Sequence, residues 1–200
     1  MKKRDALIEI FTEELPPKAL WSLAKTLASN VEASLNAAGL HCESIKPLAT
    51  PRRLALLINE LDEAQATQAV ERRGPAVASA FDAEGKPSKA AEGFAQSCGV
   101  RVDQLERMKT DKGEWLCYRA MEAGKKTESL LPEMVRQALA QLPIPKLMRW
   151  GDGDVRFVRP VHNVLMLFGR QVVHANLFGL ETTNFTFGHR FHHPKKIVIK

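Results

Sequence analysis

The sequence predicts an α+β protein, with mixed or antiparallel sheets and two long amphipathic helices. Three observations carry that expectation. Apolar residues recur at helical spacing from Ala19 to Leu35 and again from Leu131 to Leu142. Residues 6–12 (ALIEIFT), 54–61 (LALLINEL) and 114–121 read as strands. The opening order of strand, helix, strand, strand is an α+β beginning.

In strand 6–12, Ile8 and Ile10 point to one face and Leu7, Glu9 and Phe11 to the other. Both faces carry apolar residues, which predicts cover on both sides over part of its length. Pro16 and Pro17 suit the first turn of a helix, where a missing N–H costs nothing, and Glu13 and Glu14 lie beside its positive end. Ala19, Leu20, Leu23, Ala24, Leu27, Val31 and Leu35 form its apolar stripe, and Gly39 ends it. Residues 43–48 predict a short strand, and Thr50-Pro51-Arg52-Arg53 a turn or strand entry. Residues 62–89, rich in Gly, Pro, Ala and charge, predict a long connection with one short helix. Pro87 then opens a helix with Ala90, Ala91, Phe94, Ala95 and Cys98 on one face and Gly99 as its C-cap. Residues 100–108 fit a strand or a short helix equally, and Asp111-Lys112-Gly113 is a turn. The second long helix runs from Glu128 to Leu139, and Pro143 and Pro145 stop it. The remainder predicts strands near 155–159, 161–168, 171–179, 183–187 and 196–199.

The 200 residues make one large domain or two small ones, with a sub-boundary near 62–85. The last residues, IVIK, are strand-like with no closing element, which predicts a piece of a longer polypeptide. No run of 18 apolar residues predicts a membrane span. Glu9, Glu13 and Glu14 interrupt the N-terminal apolar run too early for a secretory signal, so the sequence predicts retention in the cytoplasm. Cys42, Cys98 and Cys117 are isolated and odd in number, as expected of free, mostly buried thiols in a reducing compartment.

Net charge is +6, from 29 Lys and Arg against 23 Asp and Glu, which permits nucleic-acid contact without requiring it. Residues 146–200 hold nine Lys and Arg against Asp152, Asp154 and Glu181, with five of the six histidines. No phosphate-binding Walker loop, GxGxxG, HExxH or GxSxG occurs, and no residue set forms a complete catalytic site. Arg52 and Arg53, on a proline-stiffened turn, suit a phosphate clamp, because guanidinium offers a fixed fork of donors. They equally suit a pair anchoring Glu13 or Glu14. Arg72-Arg73-Gly74-Pro75 repeats the theme in a loop. Lys146 and Arg149 stand near Trp150, on which a base could stack or which fills an apolar gap after the helix. Arg159-Pro160-Val161-His162 is a structural corner or a pocket rim. His189-Arg190-Phe191-His192-His193 places three histidines in five residues. In a strand, His192 would oppose the other two, which is awkward for a metal; surface contacts and RNA contact are the other readings.

Taken together, several blocks resemble the start of the bacterial glycyl-tRNA synthetase beta subunit. They are Glu9-Ile10-Phe11-Thr12-Glu13-Glu14-Leu15-Pro16-Pro17-Lys18, Ala49-Thr50-Pro51-Arg52-Arg53-Leu54-Ala55, Arg72-Arg73-Gly74-Pro75, the run from Phe81 to Ala91, Lys112-Gly113-Glu114, the run from Leu142 to Trp150, Phe157-Val158-Arg159-Pro160-Val161-His162 and Gly188-His189-Arg190-Phe191. Phe11 stands where the family pattern has glycine, and Phe187 where it has arginine or a similar polar residue. The resemblance implies an N-terminal region of a longer beta chain, similar in fold to the B3/B4-type module of the phenylalanyl-tRNA synthetase beta chain. It implies a glycine–tRNA ligase that uses ATP and magnesium, with an α2β2 arrangement and adenylate chemistry in the alpha subunit. This region would itself be non-catalytic, hold no cofactor or metal, and bind tRNA-Gly through Arg52, Arg53, Arg72, Arg73, Lys146, Arg149 and Arg159. Trp150, His162, His189 and Arg190 would serve for stacking or as a pocket. A structural module of the beta chain, or an editing-like hydrolase, are the alternatives.

Overall fold

The computed structural model describes residues 2–82, 86–110 and 113–200. Ala83-Glu84-Gly85, within the family block, and Asp111-Lys112, within the predicted turn, lie outside the described residues. In chain order the elements are β1 (Lys3–Thr12), α1 (Pro17–Ala37), β2 (Ser44–Thr50), β3 (Arg53–Asp62), β4 (Gln68–Ala76), α2 (Val77–Ala80), α3 (Lys89–Ser97), β5 (Glu106–Thr110), β6 (Gly113–Glu122), α4 (Thr127–Ala140), β7 (Met148–Arg149), β8 (Arg156–Phe157), β9 (Val161–Phe168), β10 (Gln171–Val172), β11 (Asn176–Leu177), β12 (Leu180–Glu181), β13 (Phe185–Phe187) and β14 (Lys196–Val198). The chain divides into two compact units: unit 1 is Met1–Gln65 with Lys125–Lys200, and unit 2 is Ala66–Gly124. The sequence reading places one sub-boundary near 62–85; the units exchange at 65/66 and again at 124/125.

Unit 1 is built on an antiparallel five-stranded sheet of order β10-β9-β1-β3-β2. The alternation in β1 fixes its register. Ile8 lies between Leu56 and Met166, and Ile10 between Leu54 and Val164. That face is buried under α1, through Leu23, Leu27, Val31 and Leu35, and under α4, through Leu131, Val135 and Ala138. A fully buried aliphatic side chain contributes about 1.5–3 kcal/mol, so this layer dominates the stability of the unit. Pro16 and Pro17 begin α1 without a side-chain cap. Gly39, at φ +68°, ends it, with the Leu40 N–H donating to Leu35 O and the Gly39 N–H to Asn36 O; both bonds satisfy orphan carbonyls. The opposite face of the sheet is covered in part by residues 183–187. Thr186 Oγ1 donates to Glu9, Phe187 packs on Phe11, and Asn163 Nδ2 donates to Phe185 O. Cover on both faces explains why β1 and β9 carry apolar residues at successive positions.

Unit 2 is a three-stranded antiparallel sheet of order β4-β6-β5 with α2 and α3. Its buried core is Ala80, Ala91 and Leu116, with Val77, Phe81, Phe94, Val102 and Leu105 packed against them. Ser88, rather than Pro87, caps α3 by accepting from the Ala91 N–H.

Several expectations are corrected. Residues 68–76 are a strand and not a connection, so Arg72 and Arg73 sit opposite Tyr118 and Cys117 in a ladder and not in a loop. QAVERRGPA lacks the alternating apolar signal because the strand is mostly exposed; its backbone pairing with β6 holds it. Pro75 is tolerated where the register slips between Arg73 and Ala76. The strand expected at 171–179 is two short pieces, β10 and β11. Residues 189–193, between the strands expected at 183–187 and 196–199, are a turn closed by the His193 N–H donating to His189 O. His189 and His192 therefore lie together, ring centroids 4.6 Å apart, instead of opposing one another.

Candidate functional site

The chemistry gathers at the C-terminal end of β1. Its alternation sends Glu9 and Phe11 to the face away from the helices, and the β2–β3 turn brings Arg52 and Arg53 beside them. The sheet end is tied by backbone bonds: Thr12 N–H to Arg52 O at 2.9 Å, Leu15 N–H to Pro51 O at 2.7 Å, and Glu13 N–H to Pro160 O at 2.9 Å. The guanidinium carbons of Arg52 and Arg53 each lie 4.9 Å from the Phe11 ring centroid.

These two arginines are committed internally. Arg52 Nε donates to Thr12 O at 3.1 Å and its Nη2 lies 3.4 Å from Glu13 Oε1, leaving the side chain 19% exposed. Arg53 Nε lies 3.4 Å from Glu9 Oε2, where the pair is 21% and 12% exposed, and its Nη2 donates to Phe187 O. Thr186 Oγ1 donates to the other Glu9 oxygen. The anchoring alternative expected Glu13 or Glu14 as partner. Arg52 takes Glu13, but Arg53 takes Glu9, since it shares the Glu9 face of the sheet.

His162 completes the group. Its Nε2 is 2.8 Å from Glu13 Oε1. That hydrogen bond holds the Glu13 carboxyl below its usual range, against a raising effect of burial, with help from the charges of Arg52 and Arg190. Phe11 meets Phe187 at 5.7 Å between ring centroids, and Phe187 meets Phe185 edge-on at 5.7 Å. Together Phe11, Arg52, His162, Phe187, Gly188, Arg190 and Pro194 line a cavity of about 280 Å³. Gly188 is required there, because a Cβ would fall 2.1 Å from His193 O. The cavity has an aromatic floor and a cationic rim, which suits a planar or anionic group.

The structure thus brings together Arg52, Arg53, His162 and Arg190. Arg159 stands close by, its Nε donating to Glu14 O and its Nη1 to Val158 O, both at 3.0 Å, so it braces the corner. His189 is exposed on the adjoining turn and does not line the cavity. Lys146 and Arg149 are exposed elsewhere in unit 1; Arg149 Nη1 reaches Asp154 at 4.0 Å. Trp150 packs against the main core, the gap-filling alternative of the two expected for it. Arg72 and Arg73 belong to unit 2. Arg72 lies 3.6 Å from Glu122, and Arg73 stacks 3.7 Å from the centroid of Trp115, whose indole N–H is buried without a partner. Among the described residues no group of three or more His, Cys, Asp or Glu is arranged for a metal ion. Sequence reasoning missed Glu9 and Pro194 as members of the site. The alternation of β1 could have paired Glu9 with Arg53, but Pro194 reaches the cavity only through the turn at 189–193.

A family model described as glycyl-tRNA synthetase beta subunit matches residues 6–200. The chain belongs to the glycyl-tRNA synthetase beta subunit family. Relatives named glycine–tRNA ligase beta subunit share 58% identity with it. One is from Escherichia coli, aligned over 199 residues, 100% of this chain and 29% of the relative. Another is from Salmonella paratyphi B, aligned over 191 residues, 96% of this chain and 28% of the relative. The chain therefore spans less than a third of the length of the curated relatives it matches. Within the glycyl-tRNA synthetase frame, the internal bonding of Arg52, Arg53 and Arg159 separates bracing cations from the exposed ones that remain able to reach a ligand.

Proposed function

We propose that this chain is the N-terminal region of a glycine–tRNA ligase beta subunit and supports tRNA binding and positioning. The complete cytoplasmic enzyme of protein biosynthesis converts ATP, glycine and tRNA-Gly to glycyl-tRNA, AMP and diphosphate. In this reading an α2β2 assembly forms, and adenylate chemistry and magnesium belong to the alpha subunit. In the same reading the fold resembles the B3/B4-type module of the phenylalanyl-tRNA synthetase beta chain. Family membership over nearly the whole chain carries the activity. The exposure of Lys146, Arg149 and Arg190 supports their role as direct phosphate contacts, with Arg72 in unit 2. Arg52, Arg53 and Arg159 act by bracing the backbone at the C-terminal end of β1, because each already donates to a backbone carbonyl, whereas Arg73 stacks on Trp115 in unit 2.

That same commitment of Arg52 and Arg53 favours a second reading, a structural module of the beta chain without RNA contact. Binding of this chain to labelled tRNA-Gly and to a non-cognate tRNA across a salt series decides between them. Phosphate contact gives an affinity that falls with salt, with a slope of about −0.9 for each phosphate neutralised on duplex. Cognate preference adds identity recognition, whereas absence of binding at low salt leaves the structural reading. The cavity beside His162 and Glu13 supports a third, editing-like hydrolysis. Failure to deacylate any of several mischarged tRNAs removes it.

A further inference from the structure

A second concavity of unit 1 is unlike the first. It measures about 470 Å³ and lies between the C-terminal turn of α4, the segment after it, β8 and the β11–β12 hairpin. Its walls are Leu139, Leu142, Ile144, Leu147, Phe157 and Phe178. Leu147 and Met148 beside it are 51% and 42% exposed, a large apolar exposure for adjacent residues. The rim is cationic. Arg136 and Arg156 line it, and Lys146 adjoins Leu147. Arg136 is held by Glu133 and by Asn176 O at 3.1 Å, whereas among the described residues no acid pairs with Lys146 or Arg156. One wall is maintained against backbone preference. Phe178 sits at φ +58° in a two-residue hairpin turn with Gly179 at φ +77°. Asn or Gly would occupy that position with less strain. The aromatic side chain there packs 4.9 Å from the Phe157 ring and closes the cleft.

We propose that this cleft docks an amphipathic helix of a partner protein chain, with leucine-class side chains at i, i+3 and i+7 and carboxylates beside them. Helices of that pattern fill grooves with their apolar face. Arg156, and Arg136 beside it, supply the charge complement for the carboxylates and set the orientation. RNA fits poorly: a base edge or phosphate driven between aliphatic walls loses water without gaining partners. A second copy of this chain fits poorly as well, because a two-fold contact would set the same cations against each other. The inference goes beyond the tRNA reading and does not rest on it.

The test is a methyl NMR titration of this chain with a synthetic helix-forming peptide carrying leucines at i, i+3 and i+7 flanked by glutamates. Methyl shifts at Leu139, Leu142, Ile144 and Leu147 are expected, and none with the peptide whose leucines are replaced by serine. Leu147→Asp alters an exposed position, and Phe178→Asn keeps a residue that tolerates the left-handed backbone. Each should weaken the peptide by about tenfold or more, the scale of a central interface residue, and Phe178→Asn should leave tRNA binding unchanged. Cleft methyls that stay unmoved at saturating peptide, or that move equally with the serine peptide, overturn the proposal. So does a loss of tRNA binding in Phe178→Asn that matches the loss of peptide, which assigns the cleft to RNA. A dimer of this chain that dissociates in Leu147→Asp, measured by sedimentation, assigns it to a second copy and also overturns it.

Discussion

Units 1 and 2 use the same residue pair for different ends. In unit 1 the Arg53–Glu9 pair is set between a sheet face and the segment that covers it, and a threonine and a backbone carbonyl satisfy the remaining polar atoms. In unit 2 Arg119 lies 2.7 Å from Glu71 and 3.4 Å from Glu106, with all three side chains about half exposed. The shorter distance does not make the stronger contribution. Water screens the exposed network, and such pairs are worth about 0–1 kcal/mol. Removing one partner of a pair shielded from water leaves a charge that nothing compensates. The cores differ in parallel. Unit 1 buries aliphatic residues from two helices and five strands, whereas unit 2 rests on two alanines and Leu116.

The contrast can be broken in several places. The largest expected effect is Arg53→Leu, which should destabilise unit 1 by about 3 kcal/mol in denaturant unfolding, while Arg119→Leu, in a water-screened network, should cost far less. Equal effects would erase the distinction between the pairs. Leu56→Ala should cost about 2–5 kcal/mol and act on unit 1. Leu116→Ala should cost a similar amount but shift only an earlier transition belonging to unit 2, seen as a separate step by hydrogen exchange. Joining residue 65 directly to 125 should leave unit 1 folded, because the Gln65 N–H donates to Lys125 O and the Thr127 N–H to Glu63 O within that unit. Loss of its cooperative transition would contradict this. Gly74→Ala places a Cβ 2.5 Å from the Phe94 ring and should destabilise unit 2 by about 1–3 kcal/mol, with unit 1 unaffected.

The smallest effect is a pH dependence. Glu13 has a lowered pKa when folded, so its contribution is present above the ordinary carboxylate range and is lost as pH falls through the lower folded value. The side chain is 37% exposed, so solvent screening keeps the contribution well under about 1 kcal/mol. Glu13→Gln should flatten the acid limb of the stability profile of unit 1 by that amount. An unchanged acid limb would show that the His162 hydrogen bond does not act on folding.

Much of unit 1 was legible because its elements obey one period each. Ile8 and Ile10, the α1 stripe ending at Gly39, and Leu131, Val135 and Ala138 all lie where spacing put them. The strand at 161–168 matches β9 residue for residue. Unit 2 was harder. The charged, exposed β4 is specified by its neighbour β6, a non-local cause that a local pattern does not carry. The candidate site was legible as a set of residues but not as a set of pairs. Arg52 and Arg53 stand out in the sequence as adjacent guanidinium groups, yet the choice of Glu9 for Arg53 depends on the sheet register. The cavity depends on residues 185–194 folding back over Phe11, a return across more than 170 positions.

The central claim is that exposed cations contact tRNA while the partly buried, internally bonded arginines only brace. It is tested most directly by tRNA-Gly affinity across a salt series for the Lys146→Glu/Arg149→Glu/Arg190→Glu variant, beside Arg52→Lys as a bracing control. The account predicts that the triple reversal weakens binding and lowers the salt slope by about one unit for each phosphate no longer neutralised, while Arg52→Lys changes stability and leaves the slope intact. A triple reversal with unchanged affinity and slope, in a chain that still binds tRNA, would contradict it.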